Sequence, residues 1–154
     1  MAQIAKMEFK FEIKSSAEGF YNIFMSKPFL FPKICPSLVK DFQQVEGGWG
    51  SVGSVRKWVY ISPGSSSCET HTEKIEALDE KSKSVSCKMV EGSCSKLYKS
   101  YKYTIEASEK AKGGCILNTI IEYEKQNEDV PPPTMYADIA FAIYKSIDAH
   151  LINS

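Results

Sequence analysis

The 154-residue chain has no apolar run near the roughly 18 residues that span a bilayer. Its opening, Met1 to Lys14, alternates charge with bulk and lacks the unbroken apolar centre of a secretory signal. A soluble, cytoplasmic protein with no membrane partner is expected. Charge of one sign is also missing. Nineteen basic residues balance nineteen acidic ones, and the pI is about 6.7. No basic stripe is there to follow a phosphate backbone, so no nucleic-acid partner is expected. Histidine is scarce, at two, and the five cysteines (Cys35, Cys68, Cys87, Cys94 and Cys115) form no Cys-x-x-Cys pair. A structural zinc site needs paired soft ligands, so neither a metal nor a disulfide is expected. The thiols read as buried or incidental. There is no Gly-x-Ser-x-Gly elbow. The run from Gly47 to Gly53 lacks the Gly-Lys-Ser/Thr ending of a phosphate loop and leads into a strand, so it reads as a tight turn. No repeat, linker or low-complexity segment divides the chain, and its length suits one domain over residues 1–154.

What is present is periodicity. Residues 6–14 read KMEFKFEIK, with Met7, Phe9, Phe11 and Ile13 on one face and lysine or glutamate on the other. That two-residue period marks a strand with one dry face, as in an antiparallel sheet. Ser15, Ser16 and Glu18 form an N-cap signal for a short helix carrying Phe20, Tyr21, Ile23 and Phe24. A second short, broken helix is expected around Phe29, Leu30, Phe31 and Ile34, bracketed by prolines. Strand periodicity then returns over 38–46, 52–61, 68–78, 83–91, 96–107 and 114–124. The breaks fall at Gly47-Gly48, Pro63-Gly64, Asp79-Glu80, Glu91-Gly92 and Gly113-Gly114. Together these make a meander of about seven strands. After Pro131-Pro132-Pro133, Thr134 is placed to cap a helix of about five turns. Its apolar stripe runs through Tyr136, Ile139, Ala140, Ile143, Tyr144, Ile147 and Leu151, with Lys145, Asp148 and Asn153 on the outer face.

This order predicts an α+β architecture in which a curved antiparallel sheet wraps the long C-terminal helix and the two short helices close one end. A curved sheet cannot pack flat on one helix, so space is expected between them. Alternation assigns inward positions to Met7, Phe9 and Phe11, to Trp58 and Tyr60, to His71, Glu73 and Ile75, to Val85, Cys87 and Met89, to Tyr101, Tyr103 and Ile105, and to Leu117, Thr119 and Ile121. Of these, Phe9, Phe11, Trp58, Tyr60, Val85, Cys87 and Met89 are the candidate ligand contacts, with Phe24 from the first helix and Tyr136, Ala140, Ile143 and Tyr144 from the last. The inward set mixes apolar bulk with hydroxyls, an imidazole and a carboxylate. A dry core does not bury His71 and Glu73 without partners, whereas a pocket for an oxygenated small molecule uses such groups.

Five stretches carry a family resemblance: MAQIAKMEFKFEIKSSAEGFYNIF, LFPKICPSL, EGGWGSVGSVRKWVY, EKIEALDEKSKSVS and IEYEKQNEDVPPPTMYADIAFAIYKSIDAHL. Together they resemble the major latex protein-like branch of the birch-pollen-allergen (pathogenesis-related class 10) superfamily. The resemblance implies the helix-grip fold and an internal cavity for a small hydrophobic plant metabolite. It also implies that some members are cofactor-free cyclases or isomerases of specialised metabolism, acting on terpenoids such as iridoids or on alkaloids. Trp49 interrupts the glycine loop of the allergen branch, so no ligand role is carried over to that loop.

Two classes stay open: a cyclase or isomerase, and a non-catalytic carrier or defence and signalling protein. An enol, enolate or iminium held in one conformer beside a proton donor can cyclise or shift a double bond. The candidates for that chemistry are His71, Glu73, Tyr101 and Tyr103, with Tyr136 and Tyr144 as further polar groups at the cavity. His150, at the negative end of the last helix, reads as a partly exposed end residue. Cys87 reads as a neutral buried thiol. No cofactor is expected, and the chain is expected to be a monomer or weak dimer.

Overall fold

The computed structural model describes residues 4–48, 50–61 and 67–153. The alternating opening forms β1 (Ala5–Ile13). Ser16 caps α1 (Ala17–Ser26), accepting a hydrogen bond from the Gly19 amide. A short 3-10 turn, Pro28–Leu30, leads into α2 (Phe31–Ile34), the broken second helix the prolines dictate. Then come β2 (Val39–Glu46), β3 (Val55–Ile61), β4 (Cys68–Asp79), β5 (Ser84–Gly92), β6 (Tyr98–Glu109) and β7 (Cys115–Lys125). The chain ends in α3 (Thr134–Ile152). The seven strands pair antiparallel in the order β1-β7-β6-β5-β4-β3-β2, a meander whose last strand receives the first. Pro63-Gly64 and Trp49 lie outside the described residues.

Register shifts at Thr72/Glu73 and Ile75/Ala77 in the β4–β5 pair, with others in β2–β3 and β6–β7, mark irregularities of the kind that bend a sheet. The curved face closes on α3, where Ile139, Ile143, Tyr144 and Ile147 are buried. α1 meets the same helix through the edge of Phe20 on Tyr144, with ring centroids 5.5 Å apart. At the other end Phe31 stacks on Trp58 at 4.9 Å and Phe42 meets the same indole edge-on at 4.8 Å.

Two local expectations are corrected. Thr134 does not cap α3. The N-cap is Pro133, whose carbonyl accepts from the Ala137 amide, so proline's fixed φ starts the helix. Asp148 is not an outer-face residue. Its carboxylate accepts from the Lys14 and Ser15 amides and from the Ser15 hydroxyl, at 2.6–3.2 Å, and ties the end of β1 to α3.

Candidate active site

A cavity of about 100 Å³ lies between the sheet and α3. Phe24 of α1 and Trp58 and Tyr60 of β3 form one side. His71 and Glu73 of β4, with Tyr101 and Tyr103 of β6, form the floor. Ile105, Thr119 and Ile121 continue the sheet, and Tyr136, Ile139, Ala140, Ile143 and Tyr144 of α3 face them. The four acid–base candidates and seven of the expected ligand contacts thus share one wall. Five others do not reach it. Phe9 and Phe11 are taken up by Phe141, at ring distances of 4.7 and 5.2 Å, because β1 lies against the flank of α3. Val85 is packed in the main core. Cys87 is covered by Arg56, whose Nη2 lies 3.8 Å from its sulfur. Met89 packs on the satellite cluster around Cys94, Tyr98 and Tyr101.

Arg56 is the residue that sequence reasoning missed. It is 1% exposed. Strand register sets it directly opposite Glu73, and its Nε donates to Glu73 Oε2 at 2.8 Å. Nη1 reaches the Phe24 carbonyl at 3.3 Å, and the rings of Phe24 and Phe42 flank the guanidinium at 5.0 and 5.5 Å. The signal was parity: if Trp58 and Tyr60 point inward, so does Arg56.

Glu73 is fully buried and gathers the polar groups. Besides Arg56, the Tyr103 hydroxyl donates to Oε2 at 2.7 Å, and His71 Nε2 lies 3.4 Å from Oε1. Burial opposes the carboxylate's charge. The Arg56 charge, His71 and the Tyr103 hydroxyl outweigh burial and hold its pKa down to about 2. Burial opposes the Arg56 charge too, but Glu73, with Cys87 and Tyr103 nearby, outweighs it and pushes Arg56 up, so it stays charged. Burial drives the Tyr101 and Tyr103 hydroxyls well above their ordinary value, with nearby Cys94 and Cys87 adding to it. Burial likewise raises the Cys87 thiol, which stays neutral. Thr119 and Tyr144 share a hydrogen bond of 2.7 Å across the sheet–helix boundary.

Glu73 ionises at about 2 in the fold, against an ordinary value of 4.5. Its contribution to stability is therefore complete above about pH 4.5 and is lost as pH falls from there toward 2. Urea midpoints measured from pH 5 to pH 2 should fall more steeply in the wild type than in Glu73→Gln. Parallel profiles would show that the carboxylate is not the group responsible.

Gly92 positions the imidazole. It sits opposite His71 across β4–β5 with φ +130, and a Cβ there would lie 2.3 Å from the Thr70 carbonyl oxygen. Gly92→Ala must therefore push back the backbone that carries His71. A cost of about 2 kcal/mol or more is expected, which lowers the melting midpoint by roughly 4–8 °C. The His71 ring resonances should move as well. An unchanged melt and spectrum would mean the bulge is soft.

Among the described residues, no group of three or more histidine, cysteine, aspartate or glutamate side chains is placed to hold a metal ion, and no helix is long and apolar enough to cross a membrane.

The pathogenesis-related protein Bet v 1 family matches residues 2–154. MLP-like protein 34 of Arabidopsis thaliana is 36% identical over 147 residues, 95% of this chain, which spans 46% of that protein's length. MLP-like protein 31 of the same plant is 34% identical, over 96% of this chain and 86% of its own. Among solved structures, ginseng major latex-like protein 151 from Panax ginseng superposes with a TM-score of 0.88 at 33% identity, covering 96% of this chain and 97% of its own. Norcoclaurine synthase from Thalictrum flavum, in complex with dopamine and hydroxybenzaldehyde, gives 0.80 at 18% identity, over 99% and 88%, and shares the fold. With its seven-stranded sheet gripped on a long C-terminal helix, this chain belongs to the Bet v 1 family, on the major latex protein-like branch.

Proposed function

We propose that the protein binds a small hydrophobic plant metabolite in this cavity and converts it by cofactor-free cyclisation or isomerisation. The observation that supports this is the buried Glu73 carboxylate, joined to Arg56, Tyr103 and His71 on the wall of a mostly apolar cavity. A charged network at a cavity wall is uncommon in a core built only for packing, and such networks orient acid–base groups. Tyr103 is spent on Glu73 and acts as a positioning residue. His71 is the side chain whose type exchanges protons near neutral pH, and Tyr101 meets its ring edge-on, with centroids 6.0 Å apart. In an enol-type intermediate, His71 takes the hydroxyl proton while a new carbon–carbon or carbon–oxygen bond closes. The proton then returns to a carbon of the same molecule. The sequence is redox-neutral and needs no co-reactant.

The volume selects compact substrates. About 100 Å³ lies below the roughly 300–1,000 Å³ of pockets for drug-sized ligands. Ten-carbon terpenoids such as iridoids fit this class better than large alkaloids do. A cytoplasmic monomer or weak dimer acting on such an intermediate is the whole proposal.

The test is incubation with reactive terpenoid and alkaloid intermediates, with products read by mass spectrometry. A product ratio or rate that depends on the protein supports catalysis. An apolar fluorescent probe without a hydroxyl should bind in the micromolar range, about −8 kcal/mol. Probe binding with no effect on any product would favour the second class, a carrier or defence-signalling protein. That class draws its support from the tyrosine hydroxyls, whose raised pKa values make them poor proton donors at neutral pH.

A further inference from the structure

We infer that the cavity selects a ligand by a single hydrogen-bond donor, a hydroxyl or enol hydrogen, which it gives to Nδ1 of His71. The inference rests on the cavity being a binding site and names the chemistry of what it binds.

Most polar atoms on the wall already have partners. Glu73 Oε2 accepts from both Arg56 and Tyr103. The Tyr60 hydroxyl is donated to Glu69 at 3.1 Å. Thr119 and Tyr144 satisfy one another. Among the described residues, the buried side-chain nitrogen and oxygen atoms left without a partner are His71 Nδ1, Glu73 Oε1 and Asn118 Oδ1. Asn118 is not on the cavity wall. Two buried atoms without a partner remain on its residues, on side chains two positions apart, beside the hydroxyls of Tyr101 and Tyr136.

Those two atoms fix each other's role. Glu73 is ionised, and a carboxylate only accepts. His71 Nε2 lies 3.4 Å from Oε1, a contact rather than a formed hydrogen bond, and the carboxylate's charge favours the ring hydrogen on the nitrogen that faces it. In the neutral ring Nδ1 is then a bare lone pair, an acceptor enclosed by the protein with nothing donating to it. Buried polar atoms are rarely left this way, and on a residue that lines the cavity a small turn of the ring opens Nδ1 to a partner from inside it. A hydroxyl, an enol or a lactol supplies the hydrogen. An ether, a ketone or a hydrocarbon does not. A water molecule meets the same need, and a ligand hydroxyl in its place keeps the hydrogen bond while adding apolar contact.

The probes are 2-naphthol, 2-methoxynaphthalene and 2-acetonaphthone, titrated calorimetrically at pH 8, where an ordinary imidazole is neutral. They share one ring system and differ in donor and acceptor groups. The wild type should bind the naphthol about tenfold more tightly than the ether, the usual worth of a satisfied buried hydrogen bond. His71→Phe should bring that ratio close to one. His71→Asn, which keeps an acceptor near the Nδ1 position, should retain most of it. In wild-type protein labelled with ¹⁵N-histidine, the naphthol should shift the Nδ1 resonance of His71 and the ether should not. This readout stands even where a variant fails to fold. An ether bound as tightly as the naphthol overturns the inference while leaving the cavity as a binding site. So does a ketone bound more tightly than either, or a naphthol preference that survives in His71→Phe. No binding of any of the three overturns both.

Discussion

Replacing Arg56 by methionine is expected to lower the thermal midpoint at pH 7 by roughly 6–20 °C, the largest stability effect of any single change at the site. The volume of the side chain is nearly kept, so cavity formation contributes little. What is lost is the counter-charge of a carboxylate that is 0% exposed. Breaking a buried pair from one side costs about 3–5 kcal/mol, because the remaining charge has neither water nor a partner. Tyr103 and His71 still touch Glu73, but neither is a fixed positive charge.

The pH dependence separates this cause from lost packing. With Arg56 gone, burial is the dominant influence on Glu73, so its pKa in the fold rises above the unfolded value. A raised carboxylate stabilises the fold only when protonated. The deficit of Arg56→Met should therefore shrink as pH falls from 7 toward 4, whereas the wild type loses stability on further acidification. Adding Glu73→Gln to Arg56→Met removes the stranded charge and should recover much of the loss at pH 7. A deficit that is flat with pH and is not rescued would assign the effect to the rings of Phe24 and Phe42, which flank the guanidinium.

The same pair shows where sequence reasoning reaches and where it stops. Strands were legible because one face of the sheet is wet: Met7, Phe9 and Phe11 alternate with Glu8 and Lys10, and β1 spans those residues. His71 and Glu73 were legible as inward by the same parity, and both are buried. Arg56 has that parity too, but an arginine in a strand reads as a solvent-side residue until its partner is known. Its partner lies 17 residues away and is supplied by strand register, which depends on the β3–β4 connection. Phe9, Phe11, Val85, Cys87 and Met89 fail differently. They sit on the predicted side, yet alternation says only which face a residue occupies. Whether that face meets α3, Arg56 or empty space depends on where the sheet bends, and the bulge at Thr72/Glu73 leaves no mark in hydropathy. Asp148 was misread because a charged residue on a helix usually faces water. Here two amides at the end of β1 need an acceptor, and they recruit it.

The change with the largest expected effect on function is His71→Ala. If the protein is a cyclase or isomerase, turnover of its substrate should fall about 10²-fold or more, equivalent to about 2.7 kcal/mol of transition-state stabilisation. The hydroxyl-free fluorescent probe should bind almost as before, since it makes no use of Nδ1. That split follows from the geometry. His71 is one side chain on a wall that Phe24, Trp58, Ile105, Ile139 and Ile143 also line, but it holds the unpartnered acceptor. A proton transferred to Nδ1 leaves the ring positively charged, 3.4 Å from a carboxylate that Arg56 and Tyr103 keep ionised. The charge that develops during reaction therefore forms where a countercharge already waits, and that stabilisation is absent in the ground state. Loss of an interaction made only in the transition state lowers kcat and kcat/KM together. A rise in KM alone would instead mean that His71 merely binds, as in a carrier. Glu73→Gln makes the complementary measurement. It keeps the shape of the wall and removes the countercharge, so it should also slow turnover. It should also weaken the naphthol-over-ether preference, because a glutamine amide can donate to Nε2 and let the ring hydrogen move to Nδ1.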